Sequence, residues 1–139
     1  MSLSIRNQIA GTVTSVTTGE AMATVKVRLV GGQDVTAAIT TESVKDLGIA
    51  EGSEVKILVK STEVSLATGP VPGVSIRNQI AGTITDVAAG GAMASVKIDV
   101  EGGALTAAIT RDAVADLDLT AGASVVALIK STEVSLAVA

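Results

Sequence analysis

The segment Ser4-Ile5-Arg6-Asn7-Gln8-Ile9-Ala10-Gly11-Thr12 returns letter for letter at Ser75–Thr83, and this internal repeat constrains the chain more than any other feature. The offset of 71 residues holds through Met22/Met93, Lys26/Lys97 and Gly31-Gly32/Gly102-Gly103. It then becomes 70, because the second copy is one residue shorter in that Gly-containing turn. Thr36–Thr40 recurs as Thr106–Thr110, and Lys60–Ala67 recurs as Lys130–Ala137. Between the copies, Thr68-Gly69-Pro70-Val71-Pro72-Gly73 carries two prolines and two glycines, which disfavour helix and ladder alike. The organisation expected is therefore a first module over 1–67, a short, partly stiff linker over 68–73 and a second module over 74–139.

Hydrophobic periodicity gives each module the same outline. A first strand, rich in β-branched residues, starts in the repeated block and ends near Thr18-Gly19 or Ala89-Gly90-Gly91. Ala23–Leu29 and Ala94–Val100 alternate apolar and polar residues, as a strand with one wet face requires. Val35–Ile39 and Leu105–Ile109 form a third strand after the glycine turn. Thr40 and Thr110 then stand as N-caps of a helix of one or two turns, ending at Leu47-Gly48 and around Leu117. Val55–Val59 and Val125–Ile129 are the fourth strands; Val64–Leu66 and Val134–Leu136 are the fifth. The class is all-β: two tandem OB-like five-stranded Greek-key barrels, each with one short helix.

Composition sharpens this outline. Of the 139 residues 47% are hydrophobic, yet none is Phe, Tyr or Trp. A core below ~70–80 residues rarely supplies more than about 3–5 kcal/mol, and here aliphatic side chains must do all the filling. Module is therefore expected to pack on module, and chain on chain, in a tight homo-oligomer. Met22 and Met93 read as fillers of core gaps. With no Cys and no His, disulfides, thiolate or imidazole metal sites, Cys nucleophiles and triads with a His base are excluded. The formal charge of −4 opposes general attraction to nucleic acid or an anionic membrane, and no aromatic ring is present to stack on a base. The longest aliphatic runs fall far short of the ~20 residues of a spanning helix, and the first residues do not read as a signal peptide. The expectation is a soluble cytoplasmic protein with no nucleic-acid or membrane partner.

Comparing the copies shows which residues one chain keeps twice. Charges drift freely elsewhere, as in Arg28/Asp99, Lys45/Ala115 and Lys56/Val126, and among ten cations only three pairs match: Arg6/Arg77, Lys26/Lys97 and Lys60/Lys130. The first and third pairs lie in identical blocks beside hydroxyl and amide side chains. If the first and last strands run side by side, Arg6 and Lys60 converge with Ser4 and Ser61. Such a cluster offers almost only hydrogen-bond donors, which suits a fully deprotonated tetrahedral dianion. Phosphate usually retains a proton near neutral pH, and leaving that O–H unpaired costs about 1–3 kcal/mol. Glu63 and Glu133 count against this selectivity if they point inward. A plainer reading also fits: the cations are solvated strand residues or rim charges at an oligomer interface. The glycine pairs read as turns, since neither phosphate-loop pattern occurs.

The residues Ser4-Ile5-Arg6-Asn7-Gln8 followed by Lys60-Ser61-Thr62-Glu63-Val64, present twice and in register, closely resemble the Mop, or molbindin, family of molybdate-binding proteins in its tandem (di-Mop) form. The resemblance covers essentially the whole chain. It implies OB-like barrels, a trimer of two-module chains, and molybdate or tungstate held as an exchangeable ligand, with no cofactor, no direct protein–metal ligand and no enzymatic step. It also implies interface sites made of Ser4, Arg6, Lys60 and Ser61 with Thr40 from a neighbour, and of Ser75, Arg77, Lys130 and Ser131 with Thr110. Asn7 and Asn78 are the candidates for an axial anion site, because an uncharged amide can be repeated around a threefold axis without like-charge repulsion. The function expected is cytoplasmic storage and buffering of molybdate; the alternative is a molybdate-responsive interaction module of a transporter or regulator.

Overall fold

The computed structural model describes residues 2–138. The first copy supplies β1 (Asn7–Thr18), β2 (Met22–Leu29), β3 (Asp34–Thr40), α1 (Thr41–Leu47), β4 (Glu54–Val59) and β5 (Ser65–Ala67). The second supplies β6 (Asn78–Ala89), β7 (Met93–Val100), β8 (Gly103–Thr110), α2 (Arg111–Asp116), β9 (Ser124–Ile129) and β10 (Ser135–Val138). A single 3-10 turn, Ser61–Glu63 or Ser131–Glu133, precedes each last strand. The expected all-β, double-barrel class holds, with both short helices where the Thr caps place them: Thr40 Oγ1 accepts from Ser43 N–H and Thr110 Oγ1 from Ala113 N–H, each at 3.1 Å.

The two sheets are antiparallel, in the orders β10-β4-β1-β2-β3 and β5-β9-β6-β7-β8. Each sheet therefore contains four strands of one copy and the last strand of the other. Leu66 pairs with Ala127 of β9, and Leu136 pairs with Ile57 of β4. The chain has exchanged its fifth strands.

Strand alternation sorts the side chains. β2 reads exposed and buried in strict turn, placing Ala23, Val25, Val27 and Leu29 inside. In β1 and β6 the register shifts between Val13 and Ser15 and between Ile84 and Asp86, and these bulges bend the long first strands around the barrel. Gly11 and Gly82 permit a close approach of the first strand to the second: a Cβ on Gly82 would lie 2.6 Å from the Asp99 carbonyl oxygen, and one on Gly11 would lie 2.8 Å from that of Arg28. Buried aliphatics of both copies form one continuous cluster. Met22 and Met93 are not part of it; they are 49% and 48% exposed, because the strand alternation that buries Ala23 and Ala94 turns them outward.

Besides the exchanged strands, buried hydrogen bonds and a close backbone approach join the copies. Asn7 is buried, and its Nδ2 donates to the Thr106 carbonyl at 2.9 Å while Oδ1 accepts from Thr106 N–H at 2.7 Å. Asn78 repeats this with Thr36, at 2.9 and 2.8 Å. Elsewhere between the copies, a Cβ on Gly31 would run into the Glu101 carbonyl, so the two glycine turns meet backbone to backbone.

Candidate anion site

The register of β1 on β4 pairs Asn7 with Val59, so the next residue on each side, Arg6 and Lys60, emerges at the same end of the sheet. Beyond Lys60 the chain turns at once into Ser61–Glu63, with Glu63 N–H donating to the Lys60 carbonyl at 3.0 Å. The turn's own hydrogen bonds begin with Glu63, which leaves the Ser61 and Thr62 N–H groups unused by it. Ser4, Ile5, Arg6, Lys60, Ser61 and Thr62 together line a surface pocket of about 260 Å³. Convergence of the repeated blocks thus occurs, but through the first and fourth strands; the fifth strand has left for the other sheet.

Within this pocket the chemistry is one-sided. Arg6 and Lys60 are exposed, and Arg6 is steered by its own strand end, with Nε and Nη2 donating to the carbonyls of Ser4 and Leu3 at 3.4 and 3.1 Å. Ser61 Oγ is buried and has no hydrogen-bond partner among the described residues. Ser131 Oγ, its duplicate, is in the same condition. A buried hydroxyl without a partner costs about 1–3 kcal/mol, and here it occurs at the same position of both copies. No carboxylate lines this pocket. Among the described residues, no group of three or more Asp or Glu is gathered to hold a metal ion, and no helix is long and apolar enough to cross a membrane.

The second copy repeats the strand register but not the pocket lining. Asn78 pairs with Ile129, which sets Arg77 and Lys130 at one sheet end as before. Lys130, however, lines a pocket of about 200 Å³ with Ile76 and Leu128 and with Thr62, Glu63 and Ser65 of the first copy. Ser75, Arg77 and Ser131 do not share it. Thr40 and Thr110 sit at the ends of β3 and β8 as helix caps, outside both pockets. Asn7 and Asn78, considered for an axial anion site, have their carboxamides engaged in the joint between copies. That role was missed in the sequence, although both asparagines and the threonines whose backbones they bond, Thr36 and Thr106, belong to repeated blocks.

Two OB-like barrels in tandem, with their last strands exchanged, define the class of fold. The TOBE domain model matches residues 3–66 and again 74–136, and the chain belongs to that family. The molybdenum-pterin-binding protein MopB of Rhodobacter capsulatus is 43% identical over 136 residues, covering 96% of this chain and 50% of MopB. The molybdenum transport protein ModE of Herbaspirillum seropedicae is 36% identical over 140 residues, covering 99% of this chain and 52% of ModE. The chain thus spans about half the length of these curated relatives. A crystal structure of the cytoplasmic molybdate-binding protein ModG with molybdate bound superimposes with a TM-score of 0.97 at 38% identity, covering 100% of both chains. The resemblance to Mop proteins drawn from the repeated blocks is borne out.

Proposed function

We propose that this chain binds molybdate, or tungstate, as an exchangeable oxyanion held by charge-assisted hydrogen bonds, and that it stores and buffers the anion in the cytoplasm without covalent chemistry. The observation that carries the reading is the unpartnered Ser61 hydroxyl in a pocket that also presents Arg6 and Lys60 and no carboxylate. Support comes from the full-length match to ModG, a cytoplasmic molybdate-binding protein. The sites are assigned to Ser4, Arg6, Lys60 and Ser61 with Thr40 of a neighbouring chain, and to Ser75, Arg77, Lys130 and Ser131 with Thr110, in a homotrimer. Because each site is completed across chains, anion binding and assembly reinforce each other by mass action.

Calorimetric titration tests this directly. Several molybdates per oligomer are expected, together with a raised thermal midpoint and weaker binding of phosphate. Absence of heat and of any midpoint shift at millimolar molybdate overturns the proposal. A second reading, a molybdate-responsive module acting on a protein partner, is favoured by the alignment of the whole chain with about half of ModE. A partner whose capture from solution depends on molybdate distinguishes it from storage.

A further inference from the structure

Both arms of the first pocket rest on one strand of the other copy. On one side Arg6 is followed directly by Asn7, whose buried carboxamide grips the backbone of Thr106 in β8 through both its oxygen and its nitrogen. On the other side the turn Ser61–Glu63, which carries the unpartnered hydroxyl, packs against the same β8. The second copy repeats the arrangement, with Asn78 on Thr36 of β3 and the turn Ser131–Glu133 packed against β3. An asparagine that mimics a backbone ladder in this way fixes the strand end in register, and with it the direction in which the neighbouring guanidinium leaves the sheet. A side chain held by two hydrogen bonds in a buried setting cannot shift without leaving the Thr106 N–H and C=O unmet.

We propose that Asn7 and Asn78 are positioning residues for the anion pockets, each setting the adjacent arginine against the 3-10 turn and making the pocket of one copy depend on the third strand of the other. This rests on the anion-binding reading above. Neither asparagine touches the ligand in this scheme; each acts through Arg6 or Arg77. The dependence is crossed: loosening β8 disturbs the first pocket, and loosening β3 disturbs the second.

The test compares molybdate affinity of the full chain as wild type, Asn7→Leu and Ile49→Ala. The last removes buried bulk between α1 and β4, off the β7–β8 pair that carries Thr106, and destabilises the fold. Titrations are run well below every thermal midpoint. Asn7→Leu is expected to weaken first-pocket binding by about tenfold, an ordinary size for coupling between sites, while Ile49→Ala lowers the midpoint and leaves affinity unchanged. Wild-type affinity in folded Asn7→Leu, or equal weakening in both variants, overturns the positioning role. Wild-type protein that binds no molybdate overturns the functional reading and this inference with it. If Asn7→Leu does not fold, hydrogen exchange in the wild type supplies the answer: molybdate should protect the Thr106 amide more than the Val96 amide, and equal protection refutes the latch.

Discussion

The two copies share their edges and differ on their faces. At the fourth strand, β4 exposes Lys56 where β9 buries Val126, so the second copy has five consecutive buried residues, Val125–Ile129, against an interrupted pattern in the first. The linker explains the difference. Thr68, Gly69 and Pro70 line a groove of about 610 Å³ together with Val125 and Val126, while the corresponding smaller groove of the first copy keeps Lys56 and Glu54. Gln79 holds the linker there, accepting from Val71 N–H at 3.1 Å and donating to its carbonyl at 2.9 Å; among the described residues Gln8 bonds the Ile5 carbonyl alone, at 3.1 Å. Residues at the sheet ends stay identical, whereas the faces have diverged according to what the chain itself lays over them.

Several substitutions break or sharpen this comparison. The largest effect is expected where the copies are alike: Gly11→Val and Gly82→Val each force a branched side chain into a backbone carbonyl and should each cost about 3 kcal/mol or more in denaturant unfolding. Tolerance of one but not the other would show that the barrels are not equivalent where the first and second strands meet. Next, Arg6→Lys keeps the charge and loses the planar fork, which should weaken first-copy binding by about tenfold and leave second-copy sites much less affected. Equal loss at both classes in a calorimetric titration contradicts the assignment.

A smaller effect compares the helix ends. Both close with the same hydrogen bonds, Ile49 N–H to Val44 and Leu119 N–H to Val114, each at 3.0 Å. The left-handed residue is Gly48 in one and Asp118, at φ 53°, in the other. Asp118→Gly should therefore stabilise by about 0.5 kcal/mol, the relief of backbone strain outweighing the added freedom of the unfolded chain, and thermal unfolding reads it as a small upward shift. The smallest effect is the ion pair confined to the first copy, Arg28 Nε to Asp34 Oδ1 at 3.0 Å. The hydrogen bond from Arg28, helped by its charge, holds the Asp34 carboxyl below the usual range. Its stabilisation is present above the ordinary carboxylate pKa near 4 and is lost as pH falls through the lowered folded value. Asp34→Asn should be slightly less stable at pH 7 and indistinguishable from wild type in strong acid; a gap that widens on acidification contradicts the pairing.

Much of this was legible in the sequence. Alternation in Ala23–Leu29 gave the strand faces, Thr40 and Thr110 gave the helix starts, and the repeated blocks gave the Arg6/Lys60 pocket. The strand exchange was not, for a physical reason. The segments Lys60–Ala67 and Lys130–Ala137 are identical, so no side chain distinguishes which fourth strand either should join. The choice lies in the linker path and in the cross-copy latches, and a buried asparagine facing another copy's backbone has no local pattern.

Anomalous diffraction from crystals soaked in molybdate tests the central claim most directly. The account predicts a molybdenum peak whose oxygens lie within hydrogen-bonding distance of Ser61 Oγ, Lys60 Nζ and the Arg6 guanidinium, with a counterpart at Ser131. Peaks only at other surfaces, or none beside either serine at saturating anion, contradict it.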